Sequence, residues 1–156
     1  LASDEKQKRH NGNLCTPGTQ VSIGGQPVAA HCIDSKSKNS YVNEWVTAEA
    51  IVYGDSLIHH VIDGDTVLTY EKTQVGGGFV NTGMTWTTGG FAADSSLWIK
   101  KDGTPLSSGY VALQAESHPV EFRKVELLNL EGCTDRKAIN YKSYFVKSDN
   151  SKCRYK

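Results

Sequence analysis

Ser108-Gly-Tyr-Val-Ala-Leu-Gln-Ala-Glu-Ser-His-Pro-Val-Glu-Phe-Arg-Lys-Val-Glu-Leu-Leu128 reads as two apolar-alternating runs that meet at a short polar corner. Alternation over Tyr110 to Glu116 puts Val111, Leu113 and Ala115 on one side of a strand and Ala112, Gln114 and Glu116 on the other. One face can build a core while the other offers donors and acceptors to something outside it. The corner concentrates Gln114, Glu116, His118 and Arg123. Pro119 holds His118 extended, which makes it a corner residue first. The pattern predicts a hairpin, and with it an all-β fold.

The rest of the chain agrees with that class. Ala48, Ala50 and Val52 alternate with Glu49, Ile51 and Tyr53, a strand that begins near Glu44 with one small apolar face. Gly54-Asp55 turns it into a strand from Ser56 to Ile62, and Asp63-Gly64 is a two-residue hairpin signal leading to Thr66–Tyr70. Gln20–Ile23 reads as a short strand between turn signals at Thr16-Pro17-Gly18 and Gly24-Gly25-Gln26-Pro27. Residues 1–13 are polar and without periodicity, Asp34–Ser40 is a Ser/Lys loop, and Gly76–Gly90, rich in glycine and threonine and holding Trp86, reads as a long surface loop or a loose hairpin. Asp102-Gly103 marks another turn, and residues 135–144 have room for one helical turn. No long amphipathic helix is legible.

The 156 residues suffice for one domain with a real core. The 17 basic and 17 acidic residues balance, so neither nucleic acid nor an anionic membrane surface is an expected partner. No apolar run approaches the roughly 20 residues a membrane span requires. The chain starts at Leu1 without a basic-then-apolar leader, as a mature, processed or excised fragment would. Four cysteines form two local pairs, Cys15 with Cys32 and Cys133 with Cys153, without the C-x-x-C spacing of zinc sites. Two disulfides closing loops of roughly 15 to 20 residues are each worth about 3 kcal/mol and fit an exported protein. Four buried thiols in a cytosolic protein are the alternative.

The Leu113-Gln-x-Glu-x-His-Pro-Val-Glu-Phe-Arg-x-Val125 string resembles the terminal hairpin of the 3-keto-disaccharide hydrolase family. Glu44-Trp-Val46 through Glu49, Ile58-His-His-Val-Ile-Asp-Gly64 and Val67-Leu-x-Tyr70 are similar to its central meander. Gly12-Asn-Leu-Cys-Thr-Pro-Gly-Thr19 followed by His31-Cys32 is similar to a loop in one branch of the family, and Gly132–Tyr155 resembles a small disulfide-closed module appended to secreted bacterial proteins. The resemblance implies a concanavalin-like jelly-roll β-sandwich of antiparallel strands over residues 1–131, with a tail module over 132–156. Members occur mainly in exported proteins of polysaccharide-degrading bacteria, which implies a secreted, periplasmic or cell-surface location. Members also carry further upstream strands that these residues lack. The sandwich is thus expected to be incomplete, rebuilt, or completed by another chain supplying the missing strands.

The implied ligand is an oligosaccharide or glycoside whose sugar carbon 3 has been oxidised to a ketone. That ketone acidifies the C2 hydrogen, so a base can remove it and the aglycone leaves from C1 by elimination; water then adds to the enone. The chemistry needs a base, a donor for the enolate oxygen and an acid for the leaving group. The resemblance points to Glu116, His60 and Arg123 for these roles, with Gln114, His118, Trp45 and Glu49 contacting sugar. Each has a plainer reading. Glu116 can be a solvated strand-end carboxylate, and Arg123, which shares its face with Glu121, a member of an exposed cross-strand ion pair. Of His59 and His60, one must face in and one out, and a histidine among isoleucines can be a hydrogen-bonded packing residue. Trp45 is the candidate for stacking on a sugar ring, while Trp98 lies between Leu97 and Ile99 as a core residue would. No cofactor is clearly signalled. Asp135, Asn140 and Asp149 could supply oxygens to Ca²⁺ or another divalent metal, and local turns explain them equally. A sugar-binding or structural sandwich without catalysis, as a subunit of an extracellular assembly, is the competing function class.

Overall fold

The computed structural model describes residues 10–28, 30–38, 44–76, 85–115 and 119–156. The chain divides into two compact units, Leu1–Val111 and Ala112–Lys156. Residues 1–9, Ser40 of the expected Ser/Lys loop, residues 77–84, Glu116 and His118 lie outside the described residues.

Unit 1 is built on one antiparallel sheet. Its strands are β2 (Thr19–Ile23), β3 (Gln26–Val28), β5 (Ala48–Tyr53), β6 (Leu57–Ile62) and β7 (Asp65–Val75), in the spatial order β3-β2-β7-β6-β5. Short strands β1 (Leu14–Cys15) and β4 (Cys32–Ile33) form a separate ladder in which Cys15 faces Cys32. The all-β class and the β5–β6–β7 meander follow the sequence expectations. The Asp63-Gly64 turn has φ of +49° and +89°, the two left-handed residues a type I′ hairpin requires. The meander is shorter at its start than expected, since β5 begins at Ala48 rather than Glu44, and longer at its end, since β7 runs five residues past Tyr70. That extension carries Lys72 at φ +52° where the pairing with β2 slips, a bulge that lets one strand serve two neighbours.

Ladder partners define the sheet's two faces. One carries Ala48, Ala50 and Val52 opposite Ile62, His60 and Ile58, and then Leu68 and Tyr70. Val21, Ile58 and Tyr70 form the core cluster there, with Leu14 and Ile33 of the β1–β4 ladder packed against it. The Cys15–Cys32 disulfide closes that ladder, so it holds two apolar side chains over the sheet. Ala48, Ala50 and Val52 remain exposed. The opposite face carries Glu49, Ile51 and Tyr53 with His59 and Thr69.

Two elements differ from expectation. Gly89–Asp94 forms a 3-10 turn continuous with a short helix, α1 (Ser95–Lys101), in a stretch where the sequence signalled no helix. Trp98 on α1 stacks on Trp86 at 5.7 Å with Phe91 edge-on at 6.0 Å, so it joins a half-buried aromatic cluster rather than the sheet core. The second difference is the Tyr110–Leu128 hairpin. No strand forms in residues 106–115 or 119–130; Tyr110 is 104% exposed and Leu127 93%. Alternation sorts side chains to faces, but a strand also needs a neighbour for its N–H and C=O groups, and none pairs with this stretch among the described residues.

Unit 2 is organised around Cys133–Cys153, whose Cα atoms are 4.9 Å apart. Two-residue strands β8 (Glu131–Gly132) and β9 (Lys147–Ser148) pair in parallel beside it. The Phe145 ring lies against Gly132 so closely that a Cβ there would sit 2.5 Å from it. Asn140 ties the chain end down: its Nδ2 donates to the Lys152 carbonyl at 2.9 Å and its Oδ1 accepts from the Arg154 N–H at 2.9 Å. The sequence left room for one helical turn over 135–144; that region makes two tight turns, Ala138 N–H to Asp135 O and Tyr141 N–H to Ala138 O.

Unit 2 is also where ionisation couples to folding. The Lys147 ammonium, 2.6 Å from Glu131, holds that carboxyl below its usual value. Asp149 is lowered by Lys152 at 2.7 Å and by Ser151, and Asp135 by the Lys137 N–H and then the Tyr155 hydroxyl. Carboxyls depressed on folding contribute stability that is present above their ordinary values, about 4, and lost as pH falls below them. Lys152 and Tyr155 are raised, chiefly through Asp149 and Asp135, so their contribution is present below about pH 10 and lost above it. Amide exchange in residues 131–156 is therefore expected to be flat, after correction for intrinsic pH dependence, from about pH 5 to 9. Protection should fall on acidification below about pH 4. Protection that rose on acidification would contradict this assignment of the ion pairs.

Candidate functional site

Strand β6 delivers the two histidines to opposite faces, as adjacent strand residues must be. His60 is the inward one. Its Nδ1 is 2.7 Å from the Gly12 carbonyl and its Nε2 3.1 Å from the Tyr70 hydroxyl, with the two rings edge to face at 5.2 Å. A carbonyl only accepts, so Nδ1 carries the proton, and in the neutral ring Nε2 accepts from the Tyr70 O–H. Burial raises the Tyr70 hydroxyl above its usual value, which keeps it a donor. Both ring nitrogens are thus engaged within the protein, the arrangement of a hydrogen-bonded packing histidine.

His60→Leu leaves the Gly12 carbonyl and the Tyr70 hydroxyl without a partner. The expected loss is about 1–3 kcal/mol, read as a lower urea midpoint with unchanged m-value. His60→Gln, which can span a donor and an acceptor, should recover part of it. An unchanged midpoint in His60→Leu would show that these bonds hold nothing.

The other expected residues belong to both units. Glu49 lies opposite Val61, on the face away from His60. Trp45 precedes β5 and is 54% exposed. Gln114 and Arg123 belong to unit 2 and are exposed, Arg123 at a bend. Glu116 and His118 are outside the described residues. In the tail, Asp135 accepts from the Lys137 N–H at 2.9 Å and the Tyr155 hydroxyl at 2.7 Å, and Asp149 accepts from Ser151 at 2.5 Å. With Asn140 clamping the chain end, all three candidate metal ligands already serve protein donors. No group of three His, Cys, Asp or Glu side chains suited to a metal occurs among the described residues.

Position separates the two adjacent histidines. His59 sits on the outer face with its Nδ1 2.8 Å from the Thr69 hydroxyl and its ring edge-on to Tyr53 at 5.8 Å. The adjacent-histidine argument predicted one outward ring; which of the two it was required the β1–β4 ladder that covers the other face.

A family model described as the 3-keto-alpha-glucoside-1,2-lyase-like domain matches residues 1–128. No curated protein and no solved structure matches the chain. No helix among the described residues is long and apolar enough to cross a membrane.

Proposed function

The chain belongs to the 3-keto-alpha-glucoside-1,2-lyase-like domain family, and from that premise we propose that it cleaves glycosides already oxidised at carbon 3. The match over residues 1–128 carries this reading. Glu116 takes the C2 proton, the C–H electron pair becomes the enolate, and the Arg123 guanidinium meets the developing oxygen charge with a fork of donors. Collapse of the enolate expels the aglycone oxygen from C1 with a proton from a general acid. Water then adds across the enone, its oxygen to C1 and its proton to C2. Gln114, His118, Trp45 and Glu49 are assigned to sugar contacts. His60, bonded on both nitrogens, is assigned to holding the Gly12 segment on the sheet, with proton transfer through Tyr70 as its route to chemistry.

The same proposal divides the chain into a sandwich over residues 1–131 and a disulfide-closed module over 132–156. It places the protein outside the cytoplasm, which the two disulfides support. The test is aglycone release from a p-nitrophenyl 3-keto-α-glucoside at neutral pH. Release well above the buffer rate is expected, and none from the unoxidised glucoside.

One observation favours a second reading. Tyr110, Val111, Val125 and Leu127 are each more than half exposed on a stretch whose pattern suits strand pairing. A non-catalytic subunit whose strand is completed by a partner chain would expose such a stretch when alone. Absence of release, together with retention on a polysaccharide resin, would select it.

A further inference from the structure

The two edges of the unit 1 sheet differ. β3 (Gln26–Val28) has three residues, and Pro27 at its centre has no N–H to offer a further strand. β5 (Ala48–Tyr53) has six, contains no Pro, Lys or Arg, and pairs with β6 alone among the described residues. We propose that this second edge joins two copies of the chain, β5 against β5, in a twofold dimer with one continuous sheet. Thr47 shows which backbone groups of β5 are free. Its carbonyl accepts the Asp63 N–H at 2.9 Å, so Thr47 points its backbone groups at β6. Successive residues of an antiparallel strand face one flank and then the other. Glu49, Ile51 and Tyr53 therefore turn their N–H and C=O groups to β6, and Ala48, Ala50 and Val52 turn theirs outward. The strand is open around those outward groups: Val52 is 50% exposed, and Ala48 and Ala50 are exposed as well.

The register selects a second copy as the occupant. Set antiparallel about a twofold axis at Ala50, the two strands place Ala50 opposite the partner's Ala50 and Ala48 opposite the partner's Val52. Outward-facing residues then meet only outward-facing residues, so every free N–H and C=O from Ala48 to Val52 finds a partner. A slip by one residue would set these groups against residues already bonded to β6. The side chains agree with the same register. Glu49 comes opposite the partner's Ile51, so no like charges face each other directly. Ala48 and Ala50 are small, and with Val52 they continue the apolar face that carries the core cluster. With 17 basic and 17 acidic residues, two copies also meet without net repulsion. An unrelated strand would have to match this register independently, whereas a second copy brings the match with it.

A six-residue edge buries little surface, which puts the dimer among weak complexes. The mass of the full chain is therefore followed by sedimentation from about 10 μM to about 1 mM, with amide exchange read at both ends of the range. A shift from monomer to dimer is expected. The amides of Ala48, Ala50 and Val52 should exchange about tenfold more slowly at the higher concentration, while those of Glu49, Ile51 and Tyr53 are protected at both. Ala50→Lys sets two ammonium groups face to face across the axis and should raise the concentration for half-association about fivefold. Ala50→Glu should do the same with two carboxylates, and an equimolar mixture of the two variants should associate at least as readily as the unaltered chain. Ala50 is exposed, so neither substitution is expected to move the urea midpoint. A chain that stays monomeric throughout overturns the inference, and so does a dimer indifferent to both substitutions. Protection of the three outward amides that does not change on dilution also overturns it, since the edge would then be taken up within one chain. Aglycone release plays no part in these readouts, so the dimer and the catalytic proposal stand or fall separately.

Discussion

Replacing Glu116 by Gln is expected to lower aglycone release from a 3-keto-glucoside by about 10²- to 10⁴-fold, the range a positioned general base supplies. The substitution keeps the side chain's shape but replaces the basic carboxylate by a neutral amide that cannot take the C2 proton. The loss should therefore appear in kcat, with KM nearly unchanged. Arg123→Lys keeps the charge but not the planar fork, so a smaller loss is expected there. A Glu116→Gln variant within a factor of two of the unaltered protein would remove Glu116 from the chemistry.

The second large effect is structural. Replacing both Cys133 and Cys153 by Ser is expected to unfold the tail while the unit 1 sheet keeps its amide protection. The bond closes a loop between residues 20 apart in sequence, worth about 3 kcal/mol in restricted unfolded-state freedom. Little else is available to replace it. Only Gly132, Cys133 and Ala138 are buried in this unit among the described residues, and units this small rarely hold without a covalent link. Its ion pairs are exposed and individually weak. Random-coil amide shifts throughout residues 131–156 are the expected readout. Retained dispersion would mean that the Phe145 ring on Gly132 and the Asn140 clamp suffice by themselves.

The elements that could be read from sequence are those whose determinants are local. Asp63-Gly64 needs only its own two residues to dictate a hairpin, and Leu57–Ile62 alternates around it, so the meander was legible. The Cys15–Cys32 and Cys133–Cys153 bonds were legible as neighbours in the chain. Helix α1 was missed because seven residues, Ser95–Lys101, give less than two turns of periodicity. Its one readable signal, Gly103 at φ +74° just past the end, was taken for an ordinary turn. The Tyr110–Leu128 alternation was read correctly as a pattern and wrongly as a strand, because pairing depends on a partner that the stretch itself does not encode. The site residues follow the same division: the inward fate of His60 could be narrowed to one of two, whereas the placement of Glu49 on the opposite face required the observed register.

Carrying out the reaction in D₂O and locating deuterium in the released sugar tests the elimination most directly. Removal of the C2 proton followed by addition of solvent water predicts one deuteron at C2 of the 3-keto product, above the level of an enzyme-free control. A product that keeps protium at C2 would mean that the C1–O bond breaks without C2 deprotonation, and the proposed chemistry would be wrong.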